Sequence, residues 1–231
     1  MVQTLNRRSN QRKRGQTPFL KTWGLTPFPR ERKSEARRLE ILRAAGRVFR
    51  RLGISGTGIR EITEEAGLLP GNLYYYFSGK DEILQYCQER ALERLLAAAR
   101  EATNAAGPVA PRLASVIRAH VHCVLDDLEG ATAHLEVEAL PEALRAPIIR
   151  KRDVYERAVR SLVSSGIKRG ELAETDPALV TRAMLGAVNW TARWYRPDGR
   201  QSVAEIAETL AEYLVRGLAE SPLPPFGKGG I

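Results

Sequence analysis

From Ser34 onward, apolar residues recur at helical spacing in stripes that glycine, proline and capping residues interrupt, which predicts an all-α protein. The first stripe, Leu39, Leu42, Ala45, Val48, Phe49 and Leu52, marks a helix from Ser34 to Leu52. Its other faces carry Arg37, Arg38, Arg43, Arg47, Arg50 and Arg51. Thr57 is placed to cap a second helix of about two turns, with Ile59, Ile62 and Ala66 on one face and Arg60, Glu61, Glu64 and Glu65 in water. Gly67 suits the sharp stop that follows, and Pro70 opens a third helix from Pro70 to Phe77. There Leu73 and Phe77, four apart, face the core, and Ser78-Gly79-Lys80-Asp81 reads as a capping box for the next helix.

That next helix, Asp81 to about Thr103, carries Ile83, Cys87, Ala91, Leu95 and Ala98 on one stripe and leads into the rest of the chain. Gly107 to Pro111 breaks it off. Leu113, Val116, Ile117, His120, Val121, Val124 and Leu128 then mark a helix ending near Gly130, and a shorter one covers about Ala131 to Leu140. Pro141 and Pro147 bracket a turn before a long helix through Tyr155, Val159 and Val163 toward Lys168-Arg169-Gly170. Asp176-Pro177 caps a run to Tyr195, and Ser202 to Glu205 is a capping box for a run to about Ala219. These last two helices have wide apolar faces. Leu179, Ala183, Gly186 and Ala187 with Trp190 on one, and Ile206, Leu210, Tyr213 and Leu214 on the other, suit a four-helix bundle shared by two chains, or packing within one.

Helix, glycine turn and short helix between Thr57 and Phe77 form a helix-turn-helix, in which the second helix of the pair meets the DNA major groove. Three successive tyrosines on so short a helix cannot all be core, since helical side chains step about 100°. Asn72, Tyr74, Tyr75 and Tyr76 therefore turn outward, and a phenol donates well to a phosphate oxygen. Base discrimination falls to Arg60, Leu69, Asn72 and the tyrosine run, and phosphate contact to Tyr74 and Lys80, with Thr57 at the edge. A purely structural three-helix unit with a surface tyrosine is the alternative.

Charge sharpens the division of the chain. The net charge is +9, and residues 1–33 hold nine Lys or Arg against one Glu, whereas residues 34–86 hold eight against seven. Residues 1–33, with Arg7, Arg8, Arg12, Lys13, Arg14 and Lys21 among polar residues, read as a disordered basic arm that lies along DNA or merely solubilises. Residues 34–84 form the helix-turn-helix domain, 85–219 a larger helical domain, and 220–231 a disordered tail. No stretch has the apolar length of a membrane span or the pattern of a signal peptide, so a cytoplasmic location is expected.

Candidate chemistry elsewhere is thin. Cys87 and Cys123 stand far apart in no metal-ligand pattern and are expected to be reduced. His120 and His122, two apart, point to different helix faces, so with His134, Glu136 and Glu138 they do not make the paired ligands of a zinc helix; no metal and no cofactor are expected. The chain has no nucleophile elbow, P-loop or dinucleotide fingerprint, which leaves an enzyme without a site.

Ala44-Ala45 and Phe49 before Gly53, the IREIT segment, Ala66-Gly67, Gly71 to Phe77 and Lys80-Asp81-Glu82-Ile83-Leu84 together resemble the DNA-binding domain of TetR-type repressors. The resemblance implies an all-helical homodimer with an N-terminal helix-turn-helix DNA-binding domain and a C-terminal ligand-binding and dimerisation domain. Family members often carry a small polar residue at the place of Leu69 and a lysine or similar residue at that of Pro70. Phosphate contact from those two positions is therefore not expected, and Leu69 is free to meet a thymine methyl.

Arg152 to Glu156, Gly166 to Glu171 and Asn189 to Gly199 are similar to a narrower TetR subgroup, regulators of steroid and fatty-acid catabolism that answer to acyl-CoA thioesters. Such an effector needs an apolar tunnel, cations for its phosphates and an aromatic face for adenine. Arg152, Trp190, Arg193 and Trp194 supply the latter two. The expected protein is a repressor released from a palindromic operator by a small molecule. An efflux-pump regulator sensing hydrophobic drugs is the alternative within the family, and a ligand-free adaptor that keeps the fold is the alternative outside it.

Overall fold

The computed structural model describes residues 29–125 and 136–219. Residues 1–28 of the basic arm, the tail 220–231, His134 and most of the short helix expected at Ala131–Leu140 lie outside the described residues; residues 29–33, expected as the disordered end of the arm, are helical and open α1. Among those described there are eight α-helices and no strand: α1 (Pro29–Leu52), α2 (Ile59–Glu65), α3 (Pro70–Leu73), α4 (Lys80–Asn104), α5 (Val109–Leu125), α6 (Glu142–Lys168), α7 (Pro177–Trp194) and α8 (Val203–Arg216), with one 3-10 turn at Val137–Ala139. No helix among them is long and apolar enough to cross a membrane.

The first three helices close around Ile41, Leu42, Ala45, Ile62, Leu73 and Phe77, all buried. Leu52, expected in this stripe, is exposed at the last position of α1. An ion pair fixes the angle between the two helices: Glu65 accepts from Arg47 Nε at 2.6 Å and from Arg51 Nη1 at 3.3 Å, and the Arg47 bond above all holds its carboxyl below the usual range. Arg38 joins this unit to α4. Its guanidinium lies 5.4 Å from the centre of the Phe77 ring and 5.6 Å from that of Tyr86, and Nη2 donates to the Tyr76 carbonyl. The Tyr86 hydroxyl donates to Glu35 at 2.8 Å, and burial, reinforced by that bond, pushes its pKa up to about 12.

Several expected boundaries move. The cap of α2 is Gly58, not Thr57; the Thr57 hydroxyl instead donates to Gly53 O, the carbonyl just past the end of α1, at 2.7 Å. Helix α3 stops at Leu73, and Tyr74 to Tyr76 continue as a turn closed by Phe77 N donating to Leu73 O at 3.0 Å. The partner of Ser78 is Glu82 rather than Asp81: the Ser78 N–H and hydroxyl donate to one carboxylate oxygen at 2.6 and 2.7 Å. Pro111 sits in the first turn of α5, where its missing N–H has no intrahelical partner to lose. Pro147 lies inside α6, which starts at Glu142 with Pro141 as its cap residue, so the two prolines do not bracket a turn. The caps of α7 and α8 are as read: Asp176 accepts from Ala178 N and Leu179 N, and Ser202 with Glu205 forms the capping box.

Helix α5 is the centre of the C-terminal domain, packed on α4, α6, α7 and α8. Its buried His120 meets the Tyr155 hydroxyl of α6 through Nδ1 at 3.2 Å, and burial pushes the Tyr155 phenol upward. Ala98 leaves the α4 stripe to Ala99 and Ala102, with Leu92 and Leu95 completing the seam. Ile206 is only 3% exposed within its own chain, because it faces α5 rather than outward; it does not belong to an exposed dimer face. Leu210 and Leu214 are half-buried against the same core.

Candidate nucleic-acid interface and adjoining cleft

The outer surface of α2, α3 and the turn after α3 gathers most of the residues assigned to DNA from the sequence. Gly67, at φ +62°, allows the reversal between α2 and α3 that only a residue without Cβ takes without strain. Leu69 is 73% exposed and precedes α3 as its cap residue without a side-chain hydrogen bond, so its apolar side chain projects ahead of that helix. Asn72 and Tyr74 are exposed and Tyr75 is 81% exposed, whereas Tyr76 is half-buried, with its ring edge-on to Tyr75. The exposed pair of tyrosines is therefore Tyr74 and Tyr75. Arg60 is exposed on α2 and donates to Glu64 at 2.8 Å, a bond that raises its pKa.

Two assigned residues lie elsewhere. Thr57 is 2% exposed, with its hydroxyl spent on Gly53, and is out of reach of DNA. Lys80 opens α4, and its ammonium donates across the fold to the Ile54 carbonyl, at 3.1 Å. The sequence shows a lysine at a helix start; only the fold brings the α1–α2 connection beside it.

Behind this unit lies a cleft of about 680 Å³. One wall is the α1–α2 connection between Phe49 and Gly56, and the opposite side is made by Gly186, Asn189, Trp190 and Arg193 of α7, with Arg152 of α6 and Glu136 at the ends. Three of the four residues assigned to an effector are thus brought together. Trp194 is not: it follows Trp190 by one turn and lies beyond the cleft, half-exposed on α7. Gly186, assigned to the dimer face from the sequence, lines the cleft.

The cleft is cationic. Arg50, Arg152 and Arg193 meet a single lining carboxylate, Glu136, which stands 3.8 Å from Arg193. Burial lowers the pKa of Arg50 and of Arg152, the latter partly offset by Glu138 and Asp153. Partly desolvated guanidinium groups gain more from an anion than exposed ones do. Trp190, 64% exposed, offers an indole face beside them. Sequence reasoning missed Arg50 and Glu136, since nothing in one chain's spacing says that the end of α1 faces α7. It also passed over Gln88, fully buried in α4, whose Nε2 holds the Glu136 carbonyl at 3.2 Å from the inside.

The exposed apolar surface of the C-terminal domain is concentrated on α7. Leu179, Ala183, Gly186, Ala187 and Trp190 are all exposed and recur every three or four residues, with Tyr213 of α8 exposed too.

Comparison with known proteins agrees with this architecture. Residues 41–87 match the family model for bacterial regulatory proteins of the tetR family, and residues 106–218 match that for the tetracyclin repressor-like C-terminal domain. The HTH-type transcriptional repressor KstR2 of Mycobacterium tuberculosis is 24% identical over 188 residues, which span 80% of this chain and 94% of that protein. The TetR family regulator PfmR from Thermus thermophilus is 30% identical in structural alignment, with a TM-score of 0.69 over 76% of this chain and 97% of its own. AibR, solved in complex with isovaleryl coenzyme A and operator DNA, is 25% identical, with a TM-score of 0.66 over 79% of this chain and 98% of its own. With its helix-turn-helix, its helical C-terminal domain and this likeness to PfmR over nearly the whole of that chain, the protein belongs to the TetR family of DNA-binding transcriptional regulators.

Proposed function

We propose that the protein is a dimeric repressor that holds a palindromic operator through α2 and α3 and releases it when an acyl-CoA thioester enters the C-terminal domain by way of the cleft. One observation carries the reading: a cationic cleft with an exposed indole shares a wall with the helix-turn-helix unit. CoA brings phosphates and an adenine, the groups that guanidinium and indole receive. AibR is known with a CoA thioester and operator DNA together, which supports the same class of effector here. Against an efflux-pump regulator sensing hydrophobic drugs, three guanidiniums and one carboxylate along the cleft repel the cationic ones among such drugs.

The dimer is proposed on Leu179, Ala183, Gly186 and Ala187 of α7 and on Tyr213 of α8. Small residues at Ala183, Gly186 and Ala187 let a partner helix approach closely, and Trp190 stands where the stripe meets the cleft. Leu69, Asn72, Tyr74 and Tyr75 are proposed to read the groove, with Arg60 beside them. For a hundredfold release the effector must prefer the non-binding state by about 2.7 kcal/mol.

The test is operator footprinting, then displacement by a panel of acyl-CoAs, the matching free acids and cationic drugs. Release by the thioesters alone is expected; release by acids or drugs and not by thioesters refutes the effector class. A W190A/R193A double variant should remain dimeric, bind the operator and ignore the thioester.

A further inference from the structure

Exposure falls in steps along the cleft and into the domain behind it. Trp190 and Arg193 are exposed, Asn189 beside them on α7 is half-buried, and Gln88 of α4 is fully buried. Two buried oxygens at the inner end, Asn189 Oδ1 and Gln88 Oε1, accept no hydrogen bond. Asn189 lines the cleft itself. Gln88 lies one residue behind the lining: its Nε2 donates to the carbonyl of Glu136, and the Glu136 side chain lines the cleft opposite Arg193. That bond also settles the orientation of the Gln88 amide, because a carbonyl accepts only from its NH2 end. A buried acceptor without a donor is disfavoured, so two of them at one cleft point to donors carried by a bound molecule.

We infer that Asn189 and Gln88 form a pantetheine subsite, each accepting from one of the two amide N–H groups in the arm of a CoA thioester. This rests on the reading of the cleft as the site of such an effector. The order of exposure matches the order of groups in that ligand. Its nucleotide phosphates meet the guanidiniums of Arg50, Arg152 and Arg193, and its amide-bearing arm meets Asn189 and Gln88. The acyl group follows toward apolar side chains, for buried Leu92 and Leu95 come after Gln88 on α4 and buried Met184 and Val188 come before Asn189 on α7. The subsite adds a selectivity that the cations alone do not give. A free acid or an ester brings no N–H donor and leaves both oxygens unpaired, and a site built around a hydrogen bond rejects the analogue that lacks it.

The test is calorimetric titration of the full-length protein with isovaleryl-CoA and with two analogues, in each of which an ester oxygen replaces one pantetheine amide N–H. Wild type is compared with N189L and Q88M, which keep the size of the side chain and remove the acceptor; circular dichroism first establishes that each is folded. Wild type should bind each analogue about fivefold more weakly than isovaleryl-CoA, the loss of one ordinary hydrogen bond. N189L should bind isovaleryl-CoA about fivefold more weakly than wild type does and no longer distinguish it from one of the analogues, and Q88M should no longer distinguish it from the other. If Q88M does not fold, N189L and the two analogues decide. Equal binding of all three ligands by wild type, or variants that keep the full preference for both amides, overturns the inference and leaves the effector class standing. If isovaleryl-CoA does not bind wild type at millimolar concentration, the effector class fails instead. N-ethylisovaleramide and ethyl isovalerate, alike in shape but with and without an N–H, then decide whether the two oxygens take an amide donor. Movement of the Asn189 and Gln88 side-chain amide signals in NMR with the amide alone supports the subsite, and equal or absent movement overturns it.

Discussion

Thr57→Val separates two roles that the sequence left together. At the edge of a helix-turn-helix, a threonine hydroxyl is equally suited to a phosphate and to the backbone; here it is 2% exposed and bonded to Gly53 O at 2.7 Å. Valine keeps the shape and removes the donor. Gly53 itself is exposed, so its carbonyl recovers water in part, and the loss is that of one ordinary hydrogen bond, about 1 kcal/mol. For a chain of this size that lowers Tm by roughly 2–4 °C, read at fixed protomer concentration because the dimer makes Tm concentration-dependent. Urea unfolding should show the same loss with an unchanged slope. Operator affinity, measured by anisotropy where both proteins are folded, should stay within about threefold. Were the hydroxyl bonded to phosphate, two lost bonds per dimer would cost about 2 kcal/mol, roughly thirtyfold in Kd, with no loss of stability. That second pattern refutes the placement of Thr57.

Glu82→Gln tests the cap that replaces the expected box. The Ser78 N–H above all, helped by its hydroxyl, holds the Glu82 carboxyl below its usual range. A carboxyl with a lowered folded pKa adds stability that is present above its unfolded pKa, about 4.3, and is lost as the pH falls through the folded value. Wild type should therefore exceed E82Q in urea stability at pH 7, with the gap closing below about pH 4; a gap constant from pH 7 to pH 3 would show that charge is not its source. Ala183→Glu places a carboxylate in the middle of the exposed α7 stripe, harmless to the folded chain but costing several kcal/mol when buried unpaired between two copies. Sedimentation should show a folded monomer where wild type is a dimer, and a persistent dimer would move the interface away from α7.

The all-helical fold was legible wherever an apolar stripe coincided with a side-chain cap. Helices α7 and α8 are the clearest cases, since Asp176 and Ser202 state their starts in local chemistry. Prolines misled for a definite reason. Pro147 gives up one hydrogen bond inside a helix of 27 residues whose packing through Ile148, Tyr155 and Val159 outweighs it, and tertiary contact is invisible to a local breaker rule. At the DNA face, exposure of Asn72, Tyr74 and Tyr75 follows from periodicity, because Leu73 and Phe77 must face the core; that of Leu69, four before Leu73, does not, and comes from its extended place ahead of α3 as the cap residue. The fates of Thr57, Lys80 and Ile206 do not. Each is decided by a partner on a distant segment: Gly53 across the α1–α2 turn, Ile54 across the domain and α5 across the bundle.

The same distinction bears on how an effector reaches the DNA. Moving α4 as a whole means repacking Leu92, Leu95, Ala99 and Ala102 against the bundle, a close-packed seam that resists small displacements. The cleft wall at Gly53 and Ile54 is held by the Thr57 and Lys80 hydrogen bonds, each worth about 1 kcal/mol net. Their sum, about 2 kcal/mol per protomer, corresponds to roughly thirtyfold, against the roughly 2.7 kcal/mol of a hundredfold release. Glu65 ties α2 to Arg47 and Arg51 near the C-terminal end of α1, the helix that leads directly into that wall. Under the proposed function, an effector bound between Arg193 and this wall acts on two hydrogen bonds of the helix-turn-helix unit and need not first disturb the core of the C-terminal domain.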